Sequence, residues 1–324
     1  MTVFISEEIS GLLIDRQLAF EGVKAALIAA VDGSATSFPP VQGHGTEVRN
    51  RFSVKSAAAL GLGITGIKIG SYWPDNARRH EPRHNSCVLF FDEECGRIVA
   101  VVEAGIVNGY RTAAANAVAA ACLARPGSET LAVFGAGNQA RFEVAAVRDV
   151  LPIRTVLIVN RDADSAVRFA AELSAEGLDA RPSCAKDACL SANMIITATA
   201  ARAPLFDAHW VRAGTHLACM GADAVGKQEL PPELLAKASL YADLPSQSVR
   251  IGEFQHVARL VEEGHKKIVA IGDALRGQAA ARQSDDEITV FDSSGIALQD
   301  IFVVERILAR AIAEGSAVSL PGTA

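Results

Sequence analysis

The sequence has no CxxC pair among its six cysteines, Cys87, Cys95, Cys122, Cys184, Cys189 and Cys219. That absence argues against a dithiol redox motif or a zinc ribbon, and the mostly apolar or alanine-rich surroundings predict small buried hydrophobes in a reducing compartment. No apolar stretch approaches the ~18 residues needed to span a bilayer. The first residues, with Ser6, Glu7 and Glu8 ahead of any apolar run, do not read as a signal peptide. No membrane partner is expected, and a cytoplasmic location is. Also missing is a lysine- and arginine-rich segment interleaved with aromatics, and the formal charge is -6. Phosphate binding needs a concentrated basic face, so nucleic acid is excluded as a partner. The one basic stretch, Arg78, Arg79, His80, Arg83 and His84, lies beside Pro74 and Pro82 and reads as a loop, either solvated or a rim that attracts anionic substrate. The seven histidines are scattered. His80 and His84 are four apart, but the intervening Glu-Pro-Arg breaks the helix that would bring them to one face, so no metal site is expected. Internal repeats and low-complexity segments are absent as well.

What is present is ordinary globular material: half the residues are apolar and 21% charged. A chain of 324 residues is long for one core and suits two domains. From Glu7 to about Val31 apolar residues recur at helical spacing, closed by Gly33, Pro39 and Pro40. Between about Val48 and Val102 the pattern changes to short β-type runs, Phe52 to Val54, Gly66 to Gly70, Cys87 to Phe91 and Ile98 to Glu103, which predict a mostly antiparallel sheet. The alanine-rich stretch Thr112 to Ala124 predicts a connecting helix, stopped by Arg125-Pro126-Gly127. Beyond it, strands Thr130 to Phe134, Thr155 to Val159, Asn193 to Thr197 and His216 to Met220 alternate with helices from Asn138 and over Asp164 to Glu176. Continuous apolar strands alternating with helices mean βαβ units and a parallel sheet covered on both faces. A helical pattern returns within Asp292 to Ala313 and is expected to pack back on the first domain. The expected fold class is α/β: a Rossmann-type doubly wound parallel sheet over residues 119–295, plus a discontinuous α+β domain over residues 1–118 and 296–324.

The run Leu131-Ala132-Val133-Phe134-Gly135-Ala136-Gly137-Asn138-Gln139-Ala140 sets GxGxxA directly after an apolar strand and at a helix start. Gly135 permits the tight turn, Gly137 lets backbone approach a pyrophosphate, Ala140 allows close helix–strand packing, and the helix N-terminus offers N–H groups to the anion. GxGxxA alone is weak; in this strand–helix order it points to a dinucleotide. NAD-specific sites carry an acid about 20 residues on, where this chain reads Val159-Asn160-Arg161-Asp162. Asn160 and Arg161 suit a 2′-phosphate, favouring NADP(H), while Asp162 keeps NAD(H) possible.

Ligands of such sheets bind beyond the carboxyl ends of the strands. Asp223, in Met220-Gly221-Ala222-Asp223, falls at that edge, as a proton donor or acceptor beside the nicotinamide or as a turn residue bonding its own backbone. Lys68, within Gly66-Ile67-Lys68-Ile69-Gly70, needs a partner or a cavity unless it snorkels. Arg111 precedes the predicted connecting helix, either forking a substrate carboxylate in a cleft or closing an interdomain ion pair. Asp292-Ser293-Ser294-Gly295 ends another strand and is compatible with a carboxamide contact or a helix cap.

These motifs, in order, resemble the ornithine cyclodeaminase and mu-crystallin family: Ile67-Lys68, Arg111-Thr112-Ala113-Ala114, Gly135 to Ala140, Gly221-Ala222-Asp223 with Gly226-Lys227 and Glu229-Leu230, and Ser284-Asp285-Asp286-Glu287-Ile288-Thr289 leading to Asp292. The resemblance covers nearly the whole chain. It implies a homodimer joined through the substrate-binding domain, Lys68 and Arg111 on the substrate carboxylate, and Asp223 as the acid/base. It also implies cofactor contacts from Thr112, Gly135, Ala136, Gly137, Asn138, Gln139, Asn160, Arg161, Thr197, Met220, Gly221 and Ser293. The chain departs from the family after its proline pair, where an arginine is expected and Pro39-Pro40-Val41-Gln42-Gly43-His44 stands; Gln42 or His44 takes that substrate-binding place. Gly70 to Asn76 and Ser246 to Glu253 look more like the reductase branches. The expected activity is NAD(P)H-dependent reduction of a small ketimine, of the pyrroline-2-carboxylate or iminosuccinate type, or the reverse dehydrogenation. The alternatives are an NAD-dependent, ammonia-releasing cyclodeaminase and a non-catalytic NADPH-dependent ligand-binding protein.

Overall fold

The computed structural model describes residues 2–320. The chain forms two compact units, with breaks between Arg111 and Thr112 and between Gly295 and Ile296. Among the described residues no helix is long and apolar enough to cross a membrane.

The first unit is a mixed sheet with helices on one face. Its strands run in the spatial order Val318–Leu320, Thr2–Ile5, Ile98–Glu103, His84–Phe91, Ile64–Tyr72, Arg51–Ala59 and Ala35–Ser37, with Val41–His44 also paired to Arg51–Ala59. All neighbours are antiparallel except Thr2–Ile5 beside Ile98–Glu103. Alternation along the strands sorts two faces. Ala57, Ala59, Gly66, Lys68, Val88, Phe90, Ala100 and Val102 are buried, while Val54, Ile67, Ile69, Leu89, Val99 and Val101 between them are only part-buried or exposed. The helix Ala297–Ala313 covers the buried face: a Cβ on Gly66 would lie 3.2 Å from the Ile301 side chain. The same helix packs on Arg16–Ala29, where a Cβ on Gly22 would come within 2.9 Å of Val303.

The connecting helix runs Gly105–Leu123, beginning seven residues before the predicted Thr112. The cause is a cap from the far end of the chain: the Glu7 carboxylate accepts the N–H groups of Gly105 at 2.8 Å and Ile106 at 2.5 Å. A carboxylate there satisfies orphan donors and complements the helix dipole. Arg111 therefore lies inside the helix, not ahead of it, and shares a face with Asn108 one turn earlier.

The second unit is a parallel sheet in the order Asp179–Pro182, Thr155–Val159, Thr130–Phe134, Met194–Thr197, His216–Cys219, Thr289–Asp292, Ser239–Ala242 and Ile268–Ala270. The chain winds outward from Thr130–Phe134 in one direction, then returns to its other side at Met194–Thr197, so the switch point falls between these two strands. Its core includes Phe134, Ile195, Leu217, Leu240, Phe254 and Val290. Two expectations need correcting. Only Cys189 and Cys219 are buried; Cys87 and Cys122 are half-buried, and Cys95 and Cys184 are exposed, Cys184 capping the helix Ala185–Ser191. The basic stretch is not all loop, since Pro74–Arg79 is a 3-10 helix and His84 opens a strand.

Replacing Glu7 with Ala is expected to lower stability by about 1–2 kcal/mol through loss of this cap, read as a reduced denaturant midpoint; an unchanged midpoint would remove Glu7 as the reason for the early helix start.

Candidate active site

In the first unit Lys68, Asn108, Arg111, Gln299 and Asp300 form one buried polar cluster. Lys68 Nζ lies 2.6 Å from Asp300 Oδ1 and donates to Asn108 Oδ1 at 2.8 Å. Arg111 Nε is 3.1 Å from the same Asp300 oxygen, Nη2 donates to Asn108 Oδ1 at 2.8 Å, and Nη1 donates to Gln299 Oε1 at 3.3 Å. Lys68 is 6% exposed, Arg111 9% and Asp300 3%. Burial is the largest influence on Lys68 and, with Arg111 and Lys55 nearby, pulls its pKa down to about 7 against the opposing pull of Asp300. For Asp300 burial acts to raise the pKa, but Arg111, Lys68 and Lys55 together outweigh it and hold the carboxyl below its usual range. Lys68 is thus no snorkelling strand lysine, and the partners of Arg111 named here all belong to its own unit.

Strand register extends this face. Lys55 stands directly opposite Lys68, Ser53 opposite Gly70 and Arg51 opposite Tyr72; Gln42 pairs with Ser53 and His44 with Arg51. Directly opposite residues share a face, so Gln42 and His44 lie on the Lys68 face, one and two rows beyond it, both exposed. Gln42 occupies the nearer row.

In the second unit the glycine turn has the features a pyrophosphate requires. Gly135 has φ +115°, and a Cβ there would lie 2.7 Å from the Ala198 carbonyl oxygen. A Cβ on Gly137 would meet nothing within 4 Å, so the backbone there is open to a ligand. Gly137 is the N-cap of the helix Asn138–Arg148 and brings no side chain to its first turn. Arg141 donates to the carbonyls of Ala136 at 2.9 Å and Gly137 at 3.1 Å, binding the loop's acceptors. Gly137 and Asn138 are exposed, Ala136 and Gln139 half-buried, and the Gln139 amide bonds Glu143. These residues fit a dinucleotide.

Buried Glu229 organises the neighbouring loops, accepting from Thr197 Oγ1, the Thr199 N–H and Thr199 Oγ1, each at 2.7 Å, and from the Gly221 N–H at 3.0 Å. Burial raises its pKa, and these donors pull the other way. Gly221 has room for nothing larger, since a Cβ would lie 2.3 Å from the Thr199 carbonyl oxygen. Thr197 is 1% exposed with its hydroxyl committed to Glu229, so it positions the loop. Met220 follows with its N–H on the Thr197 carbonyl. Thr112 is half-buried on the connecting helix.

At the end of strand Thr155–Val159, Asn160 Nδ2 donates to the Asp162 carbonyl at 2.9 Å and Arg161 is exposed. The Asp162 carboxylate accepts from Ser165, which lowers its pKa. Asp223 is exposed and ion-paired to Lys227 at 2.5 Å, so its partner is a side chain rather than only local backbone. Ser293 is buried, bonding Asp243 at 3.2 Å. It does not cap the helix Ala297–Ala313, whose N-cap is Ile296.

Sequence reasoning missed Lys55, Asn108, Gln299 and Asp300, and gave Glu229 no role. One signal was available: Gln299 and Asp300 interrupt the apolar run Ala297 to Val304, and a polar pair inside such a run demands partners.

A glycine-turn parallel sheet with this switch point defines a Rossmann-type α/β protein. The chain belongs to the ornithine cyclodeaminase/mu-crystallin family, whose model matches residues 3–315. It is 33% identical to the iminosuccinate reductase of Paracoccus denitrificans over 98% of both chains. The crystal structure of that organism's iminosuccinate reductase, in complex with NAD+, superposes with a TM-score of 0.92 at 30% identity over 99% of each chain. An archaeal alanine dehydrogenase dimer with bound NAD gives a TM-score of 0.90 at 28% identity, again over 99% of each. The Δ1-pyrroline-2-carboxylate reductase of Bacillus cereus is 31% identical over 82% of this chain and 83% of its own.

Proposed function

We propose that this chain reduces a small α-imino acid to the amino acid with a nicotinamide dinucleotide, or runs the reverse dehydrogenation. The observation carrying this reading is the buried group of Lys68 and Arg111 around the single carboxylate of Asp300. Its net positive charge and forked donors suit an incoming carboxylate, and the named relatives act on imino or amino acids. Lys68 and Arg111 hold the α-carboxylate, with Gln42 and His44 on the same sheet face as further polar contacts. When bound, the nicotinamide supplies or accepts the hydride at the α-carbon. Gly135, Ala136, Gly137, Asn138 and Gln139 hold the pyrophosphate, with Thr112, Met220, Gly221 and Ser293 beside the rest of the cofactor. Asp223, steadied by Lys227, exchanges the proton of the imine nitrogen. Fixing carboxylate and hydride donor removes orientational freedom, which is the larger share of the acceleration.

The relatives' structures hold NAD or NADH, and the finer choice rests on the strand end. Asp162 is engaged by Ser165, while Arg161 is exposed and free to approach a 2′-phosphate, so NADPH is favoured. The second partner is another copy of this chain. The half-exposed apolar sheet face, with Val54, Ile67, Ile69, Leu89, Val99 and Val101, is too continuous for a solvated surface.

The deciding assay is loss of absorbance at 340 nm (an assay wavelength) with NADPH or NADH against pyrroline-2-carboxylate, and against oxaloacetate or pyruvate with ammonia. Steady consumption is expected, with Asp223→Asn losing on the order of a hundredfold or more in turnover at nearly unchanged cofactor affinity, and Arg161→Ala weakening NADPH far more than NADH. Ammonia release from ornithine with catalytic NAD would instead make the chain a cyclodeaminase, and tight NADPH binding without any turnover a carrier.

Light scattering should find a dimer that Ile69→Lys dissociates; a monomeric parent would sink the second-copy assignment. Lys68 binds carboxylate as the cation, present below its pKa of about 7 and lost above it. The dissociation constant of a carboxylate inhibitor is therefore expected to rise up to tenfold per pH unit above 7, and Lys68→Arg, permanently charged, should flatten that limb. A parent with no such limb would show that Lys68 does not bind the anion.

A further inference from the structure

The loop 293–295 leaves the strand Thr289–Asp292 at the carboxyl edge of the second unit's sheet, and one buried acid orients its hydroxyls. Asp243, 1% exposed, follows the neighbouring strand Ser239–Ala242. Its Oδ1 accepts the Leu244 N–H at 2.8 Å and the Ser294 hydroxyl at 3.3 Å, and its Oδ2 accepts the Gly295 N–H at 2.7 Å and the Ser293 hydroxyl at 3.2 Å. Donors on both oxygens favour the anion. Burial lifts the adjoining Asp292 well above its usual range, and the charge on Asp243 adds to the lift, so of the two acids Asp292 carries the proton and Asp243 the charge. Facing a partner that can only accept, both serine hydroxyls give their protons to Asp243. Ser294 is engaged on its other side too, since Gln247 Nε2 donates to its Oγ at 2.9 Å. The Gly295 carbonyl, an obligate acceptor 3.0 Å from that nitrogen, fixes which end of the Gln247 amide points there. Ser293 differs: its proton goes to Asp243, and among the described residues no group donates to its oxygen. The residue is 6% exposed. Its N–H bonds the Cys219 carbonyl at 3.1 Å, which sets it beside Met220 and Gly221 on the strands past the switch point, the half of such a sheet that takes the second nucleotide.

We infer that Ser293 is a one-way acceptor for the carboxamide N–H of the nicotinamide, and that Asp243 is the positioning residue that makes it so, selecting cofactors by the group their pyridine ring carries. A hydroxyl free to rotate serves a donor or an acceptor equally well. With its proton committed to Asp243, the Ser293 oxygen serves only a donor. The ring nitrogen of a nicotinamide is taken by its ribose, so the only N–H groups that ring can offer are those of the carboxamide. A ribose hydroxyl accepts a proton as readily as it gives one and needs no partner of fixed polarity. Holding the carboxamide also restricts the ring's rotation about its bond to the ribose, so the contact bears on orientation at the hydride-bearing carbon. Asp243 does this from behind the serine, without touching the cofactor itself.

The inference rests on the dinucleotide part of the proposed function and not on the imine, so it is read in binding. Titration calorimetry of the full chain compares three forms each of NAD+ and NADP+: the natural carboxamide, the thiocarboxamide, which keeps the N–H groups and changes the carbonyl, and the acetylpyridine analogue, which keeps the carbonyl and has methyl for NH2. The parent is expected to bind the first two within about threefold of each other and the acetyl form roughly 3- to 30-fold more weakly, the effect of one buried acceptor left unmatched. Ser293→Ala should remove most of that gap and Ser293→Thr should keep it. Asp243→Ala releases the Ser293 proton, which can then be offered to the acetyl carbonyl, so the gap should close there too. If Asp243 only braces the loop, its removal weakens all three forms by one factor and leaves the gap unchanged, which would overturn its assignment. The test does not depend on Asp243→Ala folding, because a parent that ranks the acetyl form level with or above the carboxamide, or a Ser293→Ala that keeps the gap, overturns the inference as well. The two readings fail separately. The expected order in binding with no consumption of reduced cofactor on any imine defeats the reductase and keeps the Ser293 contact; consumption with no gap between the forms keeps the reductase and defeats the contact. Binding of neither dinucleotide defeats both.

Discussion

One buried carboxylate sets the terms for the first unit. Asp300 meets Lys68 and Arg111 through a single oxygen while its second oxygen, also buried, has no hydrogen-bond partner among the described residues. Taking three charges out of water costs several kcal/mol per ion, and apolar residues of similar volume commonly give equal or better stability. A protein optimising its core alone would not build this group. It also would not place Lys55 against it, since each additional cation works against the protonation of Lys68. What the arrangement provides is an ammonium and a guanidinium held in place, desolvated in advance, and short of negative charge. The sheet, the helix Ala297–Ala313 and the early start of the connecting helix can be read as the scaffold that such a group requires.

The second unit uses carboxylates in the opposite sense. Glu229 gathers donors from two loops, and Glu253 in turn accepts the N–H groups of Glu229 and Leu230. Burial drives Glu253 up to about 7 and raises Asp292 well above its usual range. Here the acids meet backbone N–H groups and hydroxyls instead of cations, and their task is to fix loop shape next to the glycine turn. Between 4.5 and 7 the folded chain holds a proton on Glu253 that the unfolded chain releases, so this residue's contribution to stability declines as pH rises through that window. Loop order at the dinucleotide turn is thus obtained at some expense in stability at neutral pH, a trade that functional sites accept and cores avoid.

How much could be read beforehand followed the range of the interaction. The βαβ alternation, the strand Thr130–Phe134 and the turn Gly135 to Ala140 were legible because periodicity and glycine chemistry are local. The family motifs carried Lys68, Arg111 and Asp223 for the same reason. What escaped depended on pairs distant in sequence. The helix start at Gly105 is set by Glu7, the partner of Lys68 and Arg111 comes from the last helix, and Lys55 matters only through a register that no single strand reveals. Short strands such as Val41–His44 and Ser239–Ala242 were missed too, being stabilised by neighbours more than by their own composition. Cysteine burial failed because apolar flanks say which segment is buried, not which side of a strand or end of a helix a given residue occupies.

The formal charge of -6 conceals this division of labour. It counts Lys68 as a full cation and Glu253 and Asp292 as full anions, yet burial moves all three toward neutrality. An arriving carboxylate would reverse the shift at Lys68, because a new anion beside it favours the ammonium. Anion binding in the first unit would thereby be linked to proton uptake near neutral pH, and a reduction that consumes a hydride and a proton would draw on the same pH range. An arginine in place of Lys68 would bind the anion but could not make that link, which is a physical reason for a lysine at the centre of the cluster and an arginine at its edge.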